Sequence, residues 1–322
     1  MLKVAILTSP RYRSPLFLAE GLGRMLARLG VSNQVFPQGM TWLNAIRNLN
    51  SGYGQRIKAA IAQSRLKQLA DFDVIVVAGT VGVLKDLDLF TPVLALKKPV
   101  LHYQVFYLGG SPYWLEKVPS RALDCFDGFL GVSGIHDAEP IERDKFFHIG
   151  MDVFPQCAFA AKREFVALLD FPAPEYANER ALHQRVLKKL NIPMIELKGD
   201  YTFKEIESLY NKVALYFVAT PESFGVPVSQ LQFYGGMVAA PSKQWVRRHA
   251  MLPTHSVFRD GDTPPFSGNF MFYENEQGLT DKILDLKKHY SATAVRWEWL
   301  RAQPHLFQGS LDNLWMAISK YN

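Results

Sequence analysis

Cysteine is scarce in this chain of 322 residues: only Cys125 and Cys157 occur, and neither has a short-spaced partner. A disulfide framework and a Cys-x-x-Cys zinc site are therefore not expected, and a reducing, cytoplasmic setting is. No apolar run approaches the roughly 18 residues of a membrane span. The opening run from Met1 to Leu7 is too short for a secretory signal core. Long polar or single-sign runs are missing, which argues against disorder. Histidines are scattered without ligand spacing. The three Asp-x-Asp triplets, at Asp71 and Asp73, Asp86 and Asp88, and Asp260 and Asp262, do not follow buried strands, as a metal-holding triplet at a sheet edge should. No metal is expected. The loop after the first strand, Ser9 to Ser14, lacks glycine, so it cannot form the Gly-x-Gly-x-x-Gly turn of a nicotinamide or flavin enzyme.

What remains is an ordinary globular balance, 48% hydrophobic and 20% charged, with length for two domains of about 150 residues. The formal charge is +6. Such an excess fits a dispersed solubilising surface or attraction to an anionic partner: a sugar nucleotide, a membrane leaflet or nucleic acid. Basic clusters such as Arg11 with Arg13, Lys188 with Lys189, and Arg247 to His249 are shorter than a nucleic-acid patch. Charge alone decides nothing.

Periodicity gives alternating buried strands and amphipathic helices. Strands are expected at 4–7, 31–36, 73–78, 99–106 and 128–133. Helices are expected at 15–29, stopped by Gly30, and at 56–69, with Ile57, Ala60, Ile61 and Leu66 on one face. After Gly150 and Pro155 the pattern restarts: strands at 165–169, 193–197, 214–218 and 237–240, helices at 178–190, 203–210 and 227–234. Continuous apolar strands separated by helices imply parallel sheets covered on both faces. Two such blocks make an α/β protein with two Rossmann-like domains facing each other across a cleft. The first is placed at 1–155 and the second at 156–305. A final segment, 306–322, carries Leu311, Leu314, Trp315 and Ile318 on one helical face and is expected to pack back on the first domain.

The informative stretch is 219–241. A strand ends at Ala219, a loop holds Thr220, Glu222, Ser223, Phe224 and Gly225, and Pro227 opens a helix containing Gln230. Free N–H groups and the partial positive charge at such a helix start suit a pyrophosphate. The segment resembles the signature of retaining GT-B glycosyltransferases of the group 1 type, in which two Glu residues eight apart flank a Phe-Gly-x-Pro turn. Upstream the likeness includes Lys198, Gly199 and Asp200, and downstream Gly235 and Val238. His148 to Asp152 resembles the turn that closes the first domain of such enzymes.

The resemblance implies a glycosyltransferase that moves a sugar from a nucleoside diphosphate sugar to a hydroxyl acceptor, with anomeric retention, and with no cofactor or metal. It gives Glu222 the donor hydroxyls, and gives the sugar and phosphate to the backbone around Ser223, Phe224, Gly225 and Val226. Lys198 and Gly199 fall in the donor region. Gln230 stands where the second Glu contacts ribose, so Gln230→Glu restores the family pattern. A second departure is the acidic stretch from Asp170 to Tyr176, where the family places a cationic diphosphate clamp; Arg180 comes late. Arg11, Arg13 and Arg163 are the substitute phosphate ligands. His136, after a strand, is the second catalytic candidate. Tyr107, Gly109, Gly110, Tyr113 and Trp114 combine flexible and aromatic residues fit for an acceptor wall. The acceptor class stays open among glycan, lipid-linked and nucleic-acid hydroxyls, with peripheral contact to an anionic surface also open. Rival readings are a non-catalytic sugar-nucleotide-binding module that kept this fold, and a sugar transferase modifying nucleic acid.

Overall fold

A computed structural model of the protein describes residues 1–8, 13–47, 53–79, 90–104, 120–137, 141–153, 157–159, 164–219, 225–241, 257–258 and 268–321. It divides into two compact α/β units. The first unit holds residues 1–152, an excursion that includes Val257 and Phe258, and the C-terminal residues from Gln308; the second holds the rest.

The first unit is built on a parallel sheet in the order β2-β1-β3-β4-β5-β7. Its strands are β1 (Lys3–Leu7), β2 (Ser32–Phe36), β3 (Val74–Ala78), β4 (Val100–Gln104), β5 (Gly128–Gly131) and β7 (Phe146–His148). Central β3 is buried throughout because both of its faces are covered, which is why it reads as an unbroken run of Val, Ile and Ala. Helix α1 (Arg13–Arg28) buries Leu18, Leu22, Met25 and Leu26, a stripe at helical spacing. Helices α2 (Gly39–Arg47), α3 (Tyr53–Lys67) and α4 (Thr91–Leu94) follow. A short strand β6 (Ile135–His136) pairs in parallel with β12 (Val257–Phe258), a stretch from far along the chain that belongs to this unit.

Two helical faces differ from expectation. In α3 the buried stripe is Ala59, Ala62 and Leu66, while Ile57 and Ile61 stand 47% and 58% exposed. Small alanines let α3 lie close against α2, and the isoleucines are turned about 130–170° away from that buried stripe. In α11 (Leu311–Ser319) the inward residues are Leu314, Ala317 and Ile318, and Trp315, one residue step off that stripe, is 43% exposed. The helix is anchored by Ser310 at its N-cap and by the Asn313 side-chain amide, which donates to the His148 carbonyl at 2.7 Å.

The return crossing is tied to this unit by charge. Asp152 accepts from Arg24 Nε at 3.2 Å and from Arg28 at 3.1 Å, and Arg24 also donates to the Asp152 carbonyl at 3.0 Å. Asp152 and Gln308 form an isolated antiparallel bridge. Gly21 in α1 faces this corner, where a Cβ would lie 2.9 Å from the Asp152 carbonyl oxygen.

The second unit carries the parallel sheet β13-β11-β10-β8-β9. Its strands are β8 (Ala167–Leu169), β9 (Met194–Glu196), β10 (Leu215–Phe217), β11 (Met237–Ala240) and β13 (Phe270–Phe272). Helices α5 (Ala177–Lys189), α6 (Phe203–Tyr210) and α7 (Val226–Phe233) connect them, and α8 (Glu276–His289), α9 (Ala292–Ala302) and α10 (His305–Gln308) follow the last strand. Thr202 and Glu205 close a capping box on α6. Helix α7 has no polar face: Val228, Ser229, Gln230, Leu231, Gln232 and Phe233 are all buried. Arg296 of α9 lies 4.1 Å above the Phe233 ring and helps cover that helix. The two-unit, parallel-sheet α/β architecture read from periodicity is the one the chain adopts.

Candidate functional site

In the second sheet the chain goes from β8 to β9 on one side, then crosses to β10 on the other. The strand order therefore reverses between β8 and β10, and the crevice outside their carboxyl ends is where open parallel sheets bind ligands. A small cavity of about 10 Å³, room for about one water, sits at that point. Its walls are Leu169 and Asp170 at the end of β8, Phe217, Val218 and Ala219 at the end of β10, and Tyr176, Arg180 and His183 at the start of α5.

The pocket's charges are mixed. Arg180 donates to the Asp170 carbonyl and to Glu196 Oε2, the latter at 3.0 Å, with most of its side chain buried. Glu196 also accepts from Gln184 at 3.1 Å and faces Lys198 Nζ at 3.7 Å. The Arg180 hydrogen bond holds its carboxyl below the usual carboxylate range, with Lys198 adding to the effect. Asp170 is shifted upward, because burial outweighs the Tyr216 phenol, the Phe171 and Ala219 amides and the Arg180 charge. His183 is buried, pairs with the Tyr273 hydroxyl, and lies 4.4 Å from the Phe217 ring centre. Burial, aided by Arg180, lowers its pKa to about 3, so it is neutral at physiological pH. Beside Asp170, exposed Phe171 meets Tyr201 edge to face at 6.1 Å.

At the same edge, α7 begins at Gly225, whose φ of 148° favours glycine at this cap. Val226 and Val228 N–H groups have no partner among the described residues, as the first turn of a helix requires. Gln230, one turn on, is 2% exposed. Its amide nitrogen donates to Glu207 Oε1 at 2.7 Å. The other Glu207 oxygen lies 3.0 Å from the Tyr234 hydroxyl, which accepts from the Cys157 amide at 3.2 Å. A carboxylate accepts only, so the Gln230 nitrogen must face Glu207. Its carbonyl oxygen has no hydrogen bond among the described residues. A glutamate here would set a second carboxylate against a buried one, a cost that the motif alone does not carry.

The residues expected from sequence are thus unevenly distributed. Gly225, Val226 and Gln230 stand at the start of α7, while Lys198 and Gly199 stand in the loop after β9, with Gly199 at φ +75°. Glu222, Ser223, Phe224, Arg11, Arg163, Tyr107, Gly109, Gly110, Tyr113 and Trp114 lie outside the described residues, as do the side chains of Arg13 and His136. The triplets at Asp86 and Asp260 also lie outside them. Arg180, set aside in sequence for coming late, and His183, not considered there, both line the cavity. Their signal was readable: with Leu187 they stand at i, i+3 and i+7, the stripe of α5 that turns toward the sheet. Among the described residues, no cluster of His, Cys, Asp or Glu is fit to hold a metal ion, and no helix is long and apolar enough to cross a membrane.

In the first unit, Thr8 and Gln104 end β1 and β4 at the carboxyl edge of that sheet. Both are buried, and Thr8 Oγ1 and Gln104 Nε2 have no hydrogen-bond partner among the described residues. His102, also in β4, is fully buried, and burial lowers its pKa to about 3; it is a core residue, packed at 5.2 Å from the Phe126 ring.

No family model matches the sequence, and no curated protein matches it. Among solved structures, the chain aligns with MurG of Acinetobacter baumannii at 11% identity, covering 99% of both chains with a TM-score of 0.47. It aligns with a spinosyn rhamnosyltransferase complexed with thymidine diphosphate at 9% identity, over 99% of this chain and 100% of that one, with a TM-score of 0.45. A Phytolacca americana UGT2 complexed with UDP-2-fluoro-glucose and pterostilbene aligns at 9% identity over 95% and 94%, again with a TM-score of 0.45.

Proposed function

We propose that the protein is a glycosyltransferase that takes a sugar from a nucleoside diphosphate sugar to a hydroxyl acceptor, with retention and without a metal or other cofactor. The observation that carries this reading is the crevice at the carboxyl ends of β8 and β10, where the strand order reverses, with Arg180 beside it and the open first turn of α7 at the same sheet edge. Arg180 and the α7 N–H groups suit a diphosphate, and the Phe171–Tyr201 pair offers an aromatic face to a base. Gln230, its nitrogen committed to Glu207, presents only an acceptor to a ribose hydroxyl. In this reading Glu222 orients the donor sugar, and the buried polar ends of Thr8 and Gln104 belong to the acceptor side.

The acceptor is a glycan, a lipid-linked hydroxyl or a nucleic acid, and the setting is cytoplasmic with peripheral contact to an anionic surface. The test is a thermal-shift panel of UDP-, GDP-, ADP- and CMP-sugars, followed by transfer assays with and without EDTA. A donor at 100 times its dissociation constant adds about 2.7 kcal/mol of stability. No shift with any donor refutes the reading, and loss of transfer in EDTA with recovery on adding magnesium refutes its metal-free part. One feature favours a second reading, a binding module without transfer: Arg180 is already bonded to Glu196, which weakens its hold on a diphosphate. Saturable donor binding with neither transfer nor hydrolysis selects that reading.

A further inference from the structure

Charge is unevenly shared along the chain. The first 70 residues hold ten lysines and arginines against one carboxylate, Glu20, although the whole chain has an excess of only six positive charges. From Gly21 to Ala70 there is no acidic residue at all. Helix α3 lies at the end of this stretch and carries Arg56, Lys58, Arg65 and Lys67. Lys58, Arg65 and Lys67 are exposed, and so are Ile57 and Ile61, aliphatic side chains left about half in solvent among the described residues. Along the helix, Ile57, Lys58, Ile61 and Arg65 fall within one arc of about 100°.

We infer that this face of α3 docks on an anionic phospholipid surface, with Ile57 and Ile61 entering the headgroup boundary and Lys58 and Arg65 meeting lipid phosphates. A helix that pairs aliphatic side chains with cations of one sign lies in the plane of such a surface, its apolar residues dipping about 5–10 Å below the phosphates. Two isoleucines are far too few for a stable protein interface, which takes about 20–30 residues a side. Aliphatic side chains also add nothing to nucleic-acid binding, which rests on phosphate contacts, base edges and aromatic stacking. The inference does not depend on the glycosyl-transfer reading, since it uses neither the pocket nor any sugar nucleotide.

The test is co-sedimentation of the full chain with phosphatidylcholine vesicles, with and without phosphatidylglycerol. Binding is expected only when phosphatidylglycerol is present, and it should weaken at high salt. Lys58→Gln with Arg65→Gln should lower partitioning about 25-fold, at about fivefold per cation. Ile57→Ser with Ile61→Ser should lower it about tenfold or more through lost apolar burial. Because all four side chains are exposed, both double variants should melt like the parent and keep its response to sugar nucleotides. Absence of binding to anionic vesicles, or binding that neither double variant weakens, overturns the inference. So does tighter binding to duplex DNA than to the vesicles. A dimer that Ile57→Ser with Ile61→Ser dissociates gives this face to a second copy and overturns it too.

Discussion

Gln230 donates its amide to the buried carboxylate of Glu207 at 2.7 Å, and the Tyr234 hydroxyl closes on the other carboxylate oxygen at 3.0 Å. This triad joins α6 to α7, and through the Cys157 backbone it holds the segment entering the second unit. The single Tyr234 proton belongs to the carboxylate, a stronger acceptor than the Cys157 carbonyl at 3.1 Å.

Gln230→Glu should therefore destabilise the protein at pH 7 by about 3 kcal/mol, the order of cost for a buried charge facing the wrong partner. Gln230→Ala should cost about 1–3 kcal/mol by leaving Glu207 short of a donor. Urea unfolding measures both. If Gln230→Glu is as stable as the parent, the described geometry of this triad is wrong.

Acid should weaken the fold through its neutral histidines. His102 and His183 are each lowered from 6.5 to about 3. Below pH 6.5 the unfolded chain binds protons that the folded chain refuses, so stability is full above that pH and falls as pH drops, levelling off near pH 3. Each histidine contributes on the order of 1.4 kcal/mol per pH unit across that window. Asp170, whose carboxyl is raised, acts in the opposite sense at the acid end. His183→Gln should take about 1.4 kcal/mol per pH unit off the slope between pH 6.5 and 5 in chemical denaturation; an unchanged slope contradicts the assignment.

Arg180→Met tests the pocket. Loss of a charge-assisted bond to a diphosphate should lower nucleoside diphosphate affinity by about 1.5–3 kcal/mol in calorimetry. Arg180→Lys keeps the charge but loses the fork, and should fall in between. Parent-like affinity in both variants removes Arg180 from the ligand.

At the crossing between units, Asp152→Ala should cost about 1–2 kcal/mol, because it releases Arg24 and Arg28 together. Both arginines are about a third exposed, so water recovers part of the loss. Gly21→Ala should act at the same corner by pressing a methyl group against the Asp152 carbonyl. Equilibrium unfolding of each variant gives the comparison; additive costs would show that the two changes act independently.

Most of the sheet framework was legible in sequence, for reasons specific to each strand. Val74 to Ala78 and Val238 to Ala240 are buried on both faces, so their apolar runs have no competing explanation. Helix α6 matched its expected bounds because Thr202 and Glu205 mark its start chemically. Edge strand β7 went unread since Phe146 to His148 is too short to show a period. The α3 face was misread because an isoleucine outranks an alanine in any hydropathy pattern, while close helix packing prefers the alanine.

The candidate site divides along the same line. Sequence by itself determined the α/β class, the restart of the pattern after Gly150, and the helix opening at Gly225 and Pro227, since these depend on local periodicity and backbone freedom. Only the tertiary structure decided that Arg180 and His183 reach the crevice beside Asp170, and that Gln230 is spoken for by Glu207, 23 residues earlier in the chain. Strand order is a long-range property: the crossing from β9 over β8 to β10 creates the crevice, and no local spacing encodes it.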